Sequence, residues 1–460
     1  MTALPEKFVD RLRSELGEAE ASLLCETLDN TAPPTAVRLN PCKSGASVAE
    51  AGEPIGWSRY GRFLMERPSF TADTAFHAGC YYVQEAGSQF VGHILEATGC
   101  GDGRILDMCA APGGKTTLYS SLVGKSGLVV ANEPVKNRAS ILADNVRKWG
   151  TGNMVVTCNY PSAFAACGRF FDVVAVDAPC SGEGMFRKDE RAREEWSENN
   201  VRMCAARQLE ILDEAWKALK NGGVLLYSTC TFNRTENEGV LQSFSAAHEG
   251  ELCEAEKVEC REEWGIVTGR EGVFQTFRFL PHRTRTEGFF VAVARKASSA
   301  ENEYTDTFRG KSRRPVIAEA GNAVRNELRR WVSEPDNMRF AMIGDDAYTY
   351  PRESFEEVVM LSERLNVICS GVEMGRIFGG RLKPEHALAM FCGMNREAVP
   401  VAELSHDEAL KYLRKDVFDV EALAEGMNLV CCDGCALGFA KRIGGRCNNL
   451  YPNSLRILNM

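Results

Sequence analysis

Between about residue 67 and residue 297, short apolar runs alternate with helical patterns, and this alternation restricts the fold more than any other feature of the chain. Residues 104–109, 128–132, 154–157, 171–177 and 224–228 are candidate strands. Residues 135–149, and a longer stretch from 194 to about 220, are candidate helices between them. Strand–helix–strand repetition predicts an α/β fold, a doubly wound parallel sheet with helices on both faces. A last apolar run at 289–294 follows the loop 281–288 and is expected to close the sheet antiparallel. Ligands in such sheets sit at the carboxyl ends of the strands, so residues just past each run become candidate site residues.

The flanks have a different character. Residues 1–66 form a small N-terminal region, with Phe8, Leu12 and Leu16, then Leu23, Leu24 and Leu28, at helical spacing. Pro33-Pro34 ends that stretch, and residues 37–41 follow as an extended piece. Residues 298–330 read as a linker, polar at 298–303 and basic at 309–315, running into a helix that carries Arg325, Arg329 and Arg330. Residues 331–460 form a second, smaller α/β or mainly β region with turn signals at Gly379-Gly380 and Gly444-Gly445.

Composition narrows the function classes. The 460 residues are 44% hydrophobic and 25% charged, as expected for a soluble globular protein of several domains. A net charge of -9 means that any nucleic-acid surface must be local. No run approaches a membrane span, and the first ten residues lack a secretory apolar core. The 18 cysteines are therefore read as reduced thiols of a cytoplasmic protein, not as a disulfide framework.

The turn after the first strand, Cys109-Ala110-Ala111-Pro112-Gly113-Gly114-Lys115, has small residues where a backbone must approach a ligand closely. A helix starting near Thr116 would offer free amides to an anionic group. Gly114-Lys115-Thr116 invites a phosphate-loop reading, but Cys109 stands where that motif needs glycine. Glu133 ends the second strand, about 20 residues past the turn, where doubly wound folds hold ribose hydroxyls. Asp177-Ala178-Pro179-Cys180 ends the fourth strand, and Ser181-Gly182-Glu183-Gly184 reads as a flexible loop after it. Cys230 ends the fifth strand, so Cys180 and Cys230 fall on one edge of the sheet, whereas most other cysteines read as small buried hydrophobes. A thiolate there would be a nucleophile. Cys432 and Cys435 have the spacing of zinc ligands, but no second pair or histidine completes a site, and no metal is expected. Lys441, Arg442, Arg446 and Arg456 make a basic tail, fit to contact phosphates, in an otherwise acidic chain.

The stretches 107–116, 177–184 and Ser228-Thr229-Cys230 resemble the Sun/RsmF family of RNA cytosine-5 methyltransferases. The tail is similar to the RNA-binding end of the RsmF-like branch, in the stretches 386–390, 409–414 and 448–456. The resemblance implies a Rossmann-like class I methyltransferase at 67–297, an N-terminal RNA-binding region and a C-terminal PUA-like region. It implies S-adenosylmethionine as methyl donor and small-subunit ribosomal RNA, near the decoding site, as substrate, naked or within the small subunit. By motif, Cys109–Lys115 would wrap the cofactor, with Glu133 at its ribose and Asp177 at its junction with the base, and Arg138 would also bind it. Cys230 would be the nucleophile and Cys180 the thiol that lets product go. Arg38 and Asn40 match an Arg-x-Asn element taken as RNA-binding. Asn159 stands where many relatives have an acid near the adenine, and its carbonyl is expected to serve there instead. A monomer is expected. The rivals are a transfer-RNA cytosine-5 methyltransferase and a non-catalytic ribosome assembly factor. A DNA cytosine methyltransferase is disfavoured, because those enzymes attack with the cysteine of a Pro-Cys motif and need no Thr-Cys partner.

Overall fold

Parallel pairing organises the middle of the chain. The computed structural model describes residues 2–45, 49, 51–124, 126–298, 317–418 and 421–458, so the basic run expected at 309–315 lies outside the described residues. Helices α1 (Glu6–Leu16) and α2 (Glu18–Asn30) lead into strands β1 (Thr35–Leu39), β2 (Glu53–Pro54), β3 (Gly61–Leu64) and β4 (Tyr81–Val83). The central strands are β5 (Arg104–Asp107), β6 (Leu128–Asn132), β7 (Met154–Thr157), β8 (Phe171–Asp177) and β9 (Leu219–Thr229). These five pair in parallel in the order β7-β6-β5-β8-β9. Then come β10 (Leu252–Cys253), β11 (Val267–Glu271), β12 (Phe274–Phe279) and β13 (Phe289–Lys296), of which β13 lies antiparallel against β9, as its apolar run led us to expect.

Alternation along each strand fills two cores. Leu106, Val174 and Val176 face the helices Glu198–Ala218 and Glu238–Ala247, while Ile105, Val173 and Ala175 face the helices Phe90–Ala97, Gly114–Leu122 and Lys136–Trp149. Each fully buried aliphatic side chain contributes about 1.5–3 kcal/mol. Local signals set the helix ends. Ser197 accepts a hydrogen bond from the Asn200 amide, and Gly150 ends the helix Lys136–Trp149 at φ 80°.

The N-terminal sheet runs β2-β3-β1-β4 and so continues past the expected limit at residue 66. Its inner strand corrects the reading of Arg38 and Asn40 as RNA contacts. Arg38 is fully buried. Its Nε donates to Gln84 Oε1 at 2.8 Å, its Nη2 donates to Thr117 Oγ1 at 2.5 Å, and its guanidinium lies 4.5 Å from the Trp149 ring. Burial pushes its pKa down to about 9. Asn40 Nδ2 donates to the carbonyls of Gly79 and Trp149, both at 3.0 Å. Both side chains fasten the N-terminal sheet to the central α/β core, which removes them from solvent.

The C-terminal region also differs from a single appended unit. It continues with β14 (Ala318–Glu319), β15 (Met338–Ile343), β16 (Asp346–Pro351), β17 (Val367–Ser370), β18 (Val372–Phe378) and β19 (Arg381–Pro384). Its last strands are β20 (Val401–Glu403), β21 (Gly426–Cys432), β22 (Cys435–Ile443) and β23 (Arg446–Asn449). Strands β14, β15, β16, β18 and β19 form one sheet and β20–β23 another, but β17 leaves both and pairs antiparallel with β7. A bare edge strand presents unpaired backbone groups, and β17 satisfies those of β7. Among the described residues no helix is long and apolar enough to cross a membrane.

Arg38→Ala leaves a cavity and several acceptors without donors, so urea unfolding should show a loss of about 2–4 kcal/mol. The folded variant should keep the wild-type salt dependence of RNA binding. A reduced salt slope with unchanged stability would return Arg38 to the RNA surface.

Candidate active site

Strand register decides which residues meet. Asp107 stands opposite Ala175 on β8, and Asp177 stands opposite Ser228 on β9. Because the three strands are parallel, β5, β8 and β9 all release their chains on one edge. The glycine turn, Cys180 and Cys230 follow there directly.

The turn is pinned from several sides. Gly113 has φ 113°, which only glycine adopts readily, and a Cβ there would come within 3.1 Å of Leu142 Cδ1. The Ala110 amide donates to the Asn132 carbonyl at 2.8 Å, and Asn145 Nδ2 donates to the Pro112 carbonyl at 2.9 Å. Arg138 donates to the Ala111 carbonyl at 3.2 Å and lies 3.3 Å from the buried Glu133 carboxylate, which also accepts from the Val135 amide. A cleft of about 190 Å³ opens between the turn, Lys115, Asp177 and a wall that includes Tyr82, Gln84 and Glu85. That wall was missed in the sequence. No local signal marks it, because β4 reaches the cleft only through its pairing with β1.

Two carboxylates face this edge. Asp107 Oδ2 accepts from Thr116 Oγ1 at 2.7 Å, while Oδ1 is buried with no hydrogen-bond partner among the described residues, and burial pushes the carboxyl up to about 7. An orphaned acceptor of this kind costs about 1–3 kcal/mol unless a ligand supplies a donor. Asp177 is oriented at both oxygens, with Lys115 Nζ 2.7 Å from Oδ2 and Ser228 Oγ donating to Oδ1 at 2.8 Å. Ser228 was read only as part of the strand-end motif, and its bond to Asp177 comes from the β8–β9 register.

The sulfurs of Cys180 and Cys230 lie 3.1 Å apart. The hydrogen bond to the Cys230 sulfur, and then burial, push the Cys180 thiol well above its ordinary range, so Cys180 keeps its proton. The loop 181–184, read as flexible, is instead tied down. The Gly184 amide donates to the Cys230 carbonyl at 2.8 Å, and Glu183 is fully buried.

Other expected residues fall elsewhere. Asn159 Oδ1 accepts from the Asn366 amide at 3.0 Å, and its Nδ2 donates to the Asn366 carbonyl at 3.3 Å. Its side-chain amide therefore docks the segment entering β17, which corrects its expected role at the adenine. The basic tail divides. Lys441 and Arg446 share the exposed face of the β22–β23 hairpin and Arg456 is exposed, but Arg442 points to the other face and donates to the Leu423 carbonyl at 2.7 Å. The Cys435 sulfur lies 3.0 Å from that of Cys80. Among the described residues no group of three or more His, Cys, Asp or Glu is arranged to hold a metal.

Asn159→Asp installs the acid expected from relatives and sets a carboxylate oxygen against the Asn366 carbonyl. Hydrogen exchange at residues 366–370 should rise, with a loss of about 1–3 kcal/mol in local stability. Unchanged protection would show that this amide does not dock β17.

Three family models match in order along the chain. They are the N-terminal domain of 16S rRNA methyltransferase RsmF at 4–86, 16S rRNA methyltransferase RsmB/F at 97–295 and the methyltransferase RsmF PUA domain at 399–457. The PUA match thus covers β20–β23 and not the sheet before them. Ribosomal RNA small subunit methyltransferase F of Salmonella paratyphi B is 32% identical, covering 87% of this chain and 84% of its own length. The protein of that name from Erwinia tasmaniensis is 29% identical, covering 98% of this chain and 96% of its own length. Among solved structures, a methyltransferase homolog protein from Pyrococcus horikoshii superposes with a TM-score of 0.52 at 26% identity, covering 64% of this chain and 95% of that chain. NSun6 from Pyrococcus horikoshii with SFG gives 0.54 at 21% identity, covering 65% and 99%, and shows likeness of fold. The chain belongs to the RsmF family of ribosomal RNA methyltransferases, with S-adenosylmethionine as its cofactor.

Proposed function

We propose that this protein methylates carbon 5 of a cytosine in small-subunit ribosomal RNA, near the decoding site, through a covalent bond between Cys230 and the base. The observation that carries the reading is the 3.1 Å approach of the Cys230 and Cys180 sulfurs at adjacent strand ends, beside the oriented Asp177. A methyl acceptor that is a hydroxyl or an amine is itself the nucleophile and has no use for two thiols. Cytosine carbon 5 is a poor nucleophile and needs one. The decoding-site part of the reading rests on the resemblance of the whole chain, not on any one residue.

The residues present fit the cofactor. Turn amides at the start of the helix Gly114–Leu122 suit its carboxylate, the unpartnered Asp107 Oδ1 suits its ammonium, and Glu133, held by Arg138, suits its ribose hydroxyls. S-adenosylmethionine supplies an electrophilic methyl group on a sulfonium sulfur. Cys230 attacks carbon 6 of an unstacked cytosine, forming a sulfur–carbon bond and shifting the π electrons to carbon 5. Asp177 stabilises the changing charge at the ring-nitrogen edge. Carbon 5 would then take the methyl group as the methyl–sulfonium bond breaks, the departing thioether keeping that bond's electron pair. Loss of the carbon-5 proton to a base returns an electron pair that expels the Cys230 sulfur as the thiolate that attacked, and the Cys180 thiol, keeping its proton, stabilises that leaving thiolate by donating a hydrogen bond to it. Lys441, Arg446 and Arg456 supply an exposed basic surface for the RNA phosphates.

Gly113→Val should abolish S-adenosylmethionine binding, and Glu133→Ala should weaken it by about 1–3 kcal/mol. Wild-type calorimetric affinity in both would remove these residues from the cofactor site. Cys230→Ala should lose methylation and form no covalent complex with RNA. Cys180→Ala should still form the adduct but fail to release it, giving a slow protein–RNA band on a denaturing gel. The reverse pattern would make Cys180 the nucleophile. Bisulfite sequencing of the modified RNA would show whether the cytosine lies in ribosomal or transfer RNA.

A further inference from the structure

The loops that carry Cys180 and Cys230 each contribute a buried glutamate to the other. Glu183, in the first loop, accepts the amides of Phe232 at 2.9 Å and Asn233 at 3.1 Å from the second. Glu236, past the second cysteine, accepts the amide of Ser181 at 2.9 Å from the first, the residue directly after Cys180. Asn233 Nδ2 joins the two carboxylates, donating to Glu183 Oε1 at 3.0 Å and to Glu236 Oε1 at 2.7 Å. Gln208 Nε2 donates to Glu236 at 2.8 Å and to the Pro179 carbonyl at 3.0 Å, which fixes the residue directly before Cys180. Both glutamates are fully buried, and the Arg11 guanidinium of α1 lies 2.5 Å from Glu183.

Burying two carboxylates side by side costs several kcal/mol each unless donors fill their lone pairs. Here most of those donors come from the two cysteine loops and the rest from Arg11, Trp196 and Gln208, so the bonds tie the loops to each other and to the elements packed around them. The strand register alone brings β8 and β9 together as far as Asp177 and Ser228, two to three residues short of the sulfurs. What lies beyond is loop, and loops drift unless clasped. A displacement of 1 Å in a reacting group can cost about a hundredfold in rate.

We propose that Glu183 and Glu236 are positioning residues that hold the Cys180 and Cys230 sulfurs in contact by this reciprocal exchange of carboxylates, with Arg11 securing the exchange to the N-terminal helix. The proposal rests on the reading of both cysteines as members of the reaction. It adds a role for α1, which packs Phe8 and Leu12 against Phe186, Trp196 and Phe232 beside these loops.

The test uses the full chain and the variants Glu183→Gln and Glu236→Gln. An amide at either position sets a donor against a donor while keeping the volume. Two readouts separate positioning from general destabilisation. The first is steady-state methylation, where kcat should fall about a hundredfold with KM for RNA and S-adenosylmethionine affinity within twofold of wild type. The second is the rate at which diamide joins the two sulfurs. Two thiols lose two protons and two electrons to form one disulfide, and diamide is reduced to its hydrazine. That rate should be at least tenfold slower in each variant than in the native wild type, and equal in all of them once unfolded in urea. Should Glu183→Gln fail to fold, Glu183→Asp keeps the charge but withdraws the carboxylate by one methylene, and the same losses are expected. Wild-type cross-linking in the folded variants overturns the proposal, whether or not kcat falls. Cross-linking does not depend on which sulfur attacks the base, so the proposal can fail while the assignment of Cys230 stands, and the reverse.

Discussion

Parallel pairing of β5, β8 and β9 is the constraint on which the rest of the structure depends. It sends the three chains off the same edge of the sheet, so an orphaned Asp107, an oriented Asp177 and two thiols meet within one cleft edge. The pairing is fixed by burial on both faces. A slip by one residue would exchange the inward sets Leu106, Val174 and Val176 for Ile105, Val173 and Ala175 and send every side chain to the wrong core. The chemistry at the edge therefore inherits its precision from hydrophobic packing well below it.

The appended regions are built into this core at their own polar cost. Arg38 is a fully buried cation without a carboxylate partner among the described residues, accepted by amide and hydroxyl oxygens and by the face of Trp149. On the far edge, Asn159 and Asn366 exchange hydrogen bonds and bring β17 onto β7. A third contact is apolar, where Val37 and Tyr81 of the N-terminal sheet pack with Tyr412 and Leu437 of the last domain. The domain that carries the exposed Lys441 and Arg446 hairpin is thus joined to the rest of the chain through buried contacts.

Much of the site was legible because it is carried by short segments. The glycine turn, the Asp177–Cys180 segment and Cys230 each announce themselves within a few residues, and the fold rule for strand ends brings them together. The expected strands at 128–132, 154–157 and 171–177 have the bounds that the structure shows. What failed was the assignment of isolated polar residues. Arg38, Asn40 and Arg442 read as solvent-facing phosphate contacts because charge and amide groups usually are, yet each is committed to protein oxygens.

The sequence by itself determined the alternation of strands and helices, the order of the domains and the residues that follow the strand ends, because periodicity and motif are local properties. Only the tertiary structure decided that Asn159 docks a strand arriving from more than two hundred residues later, that Gln84 and Glu85 wall the cleft, and that Glu183 and Glu236 bond each other's loops. These are contacts between segments with no shared period or spacing. Their geometry arises when separate elements are buried together and every polar group left inside must find a partner.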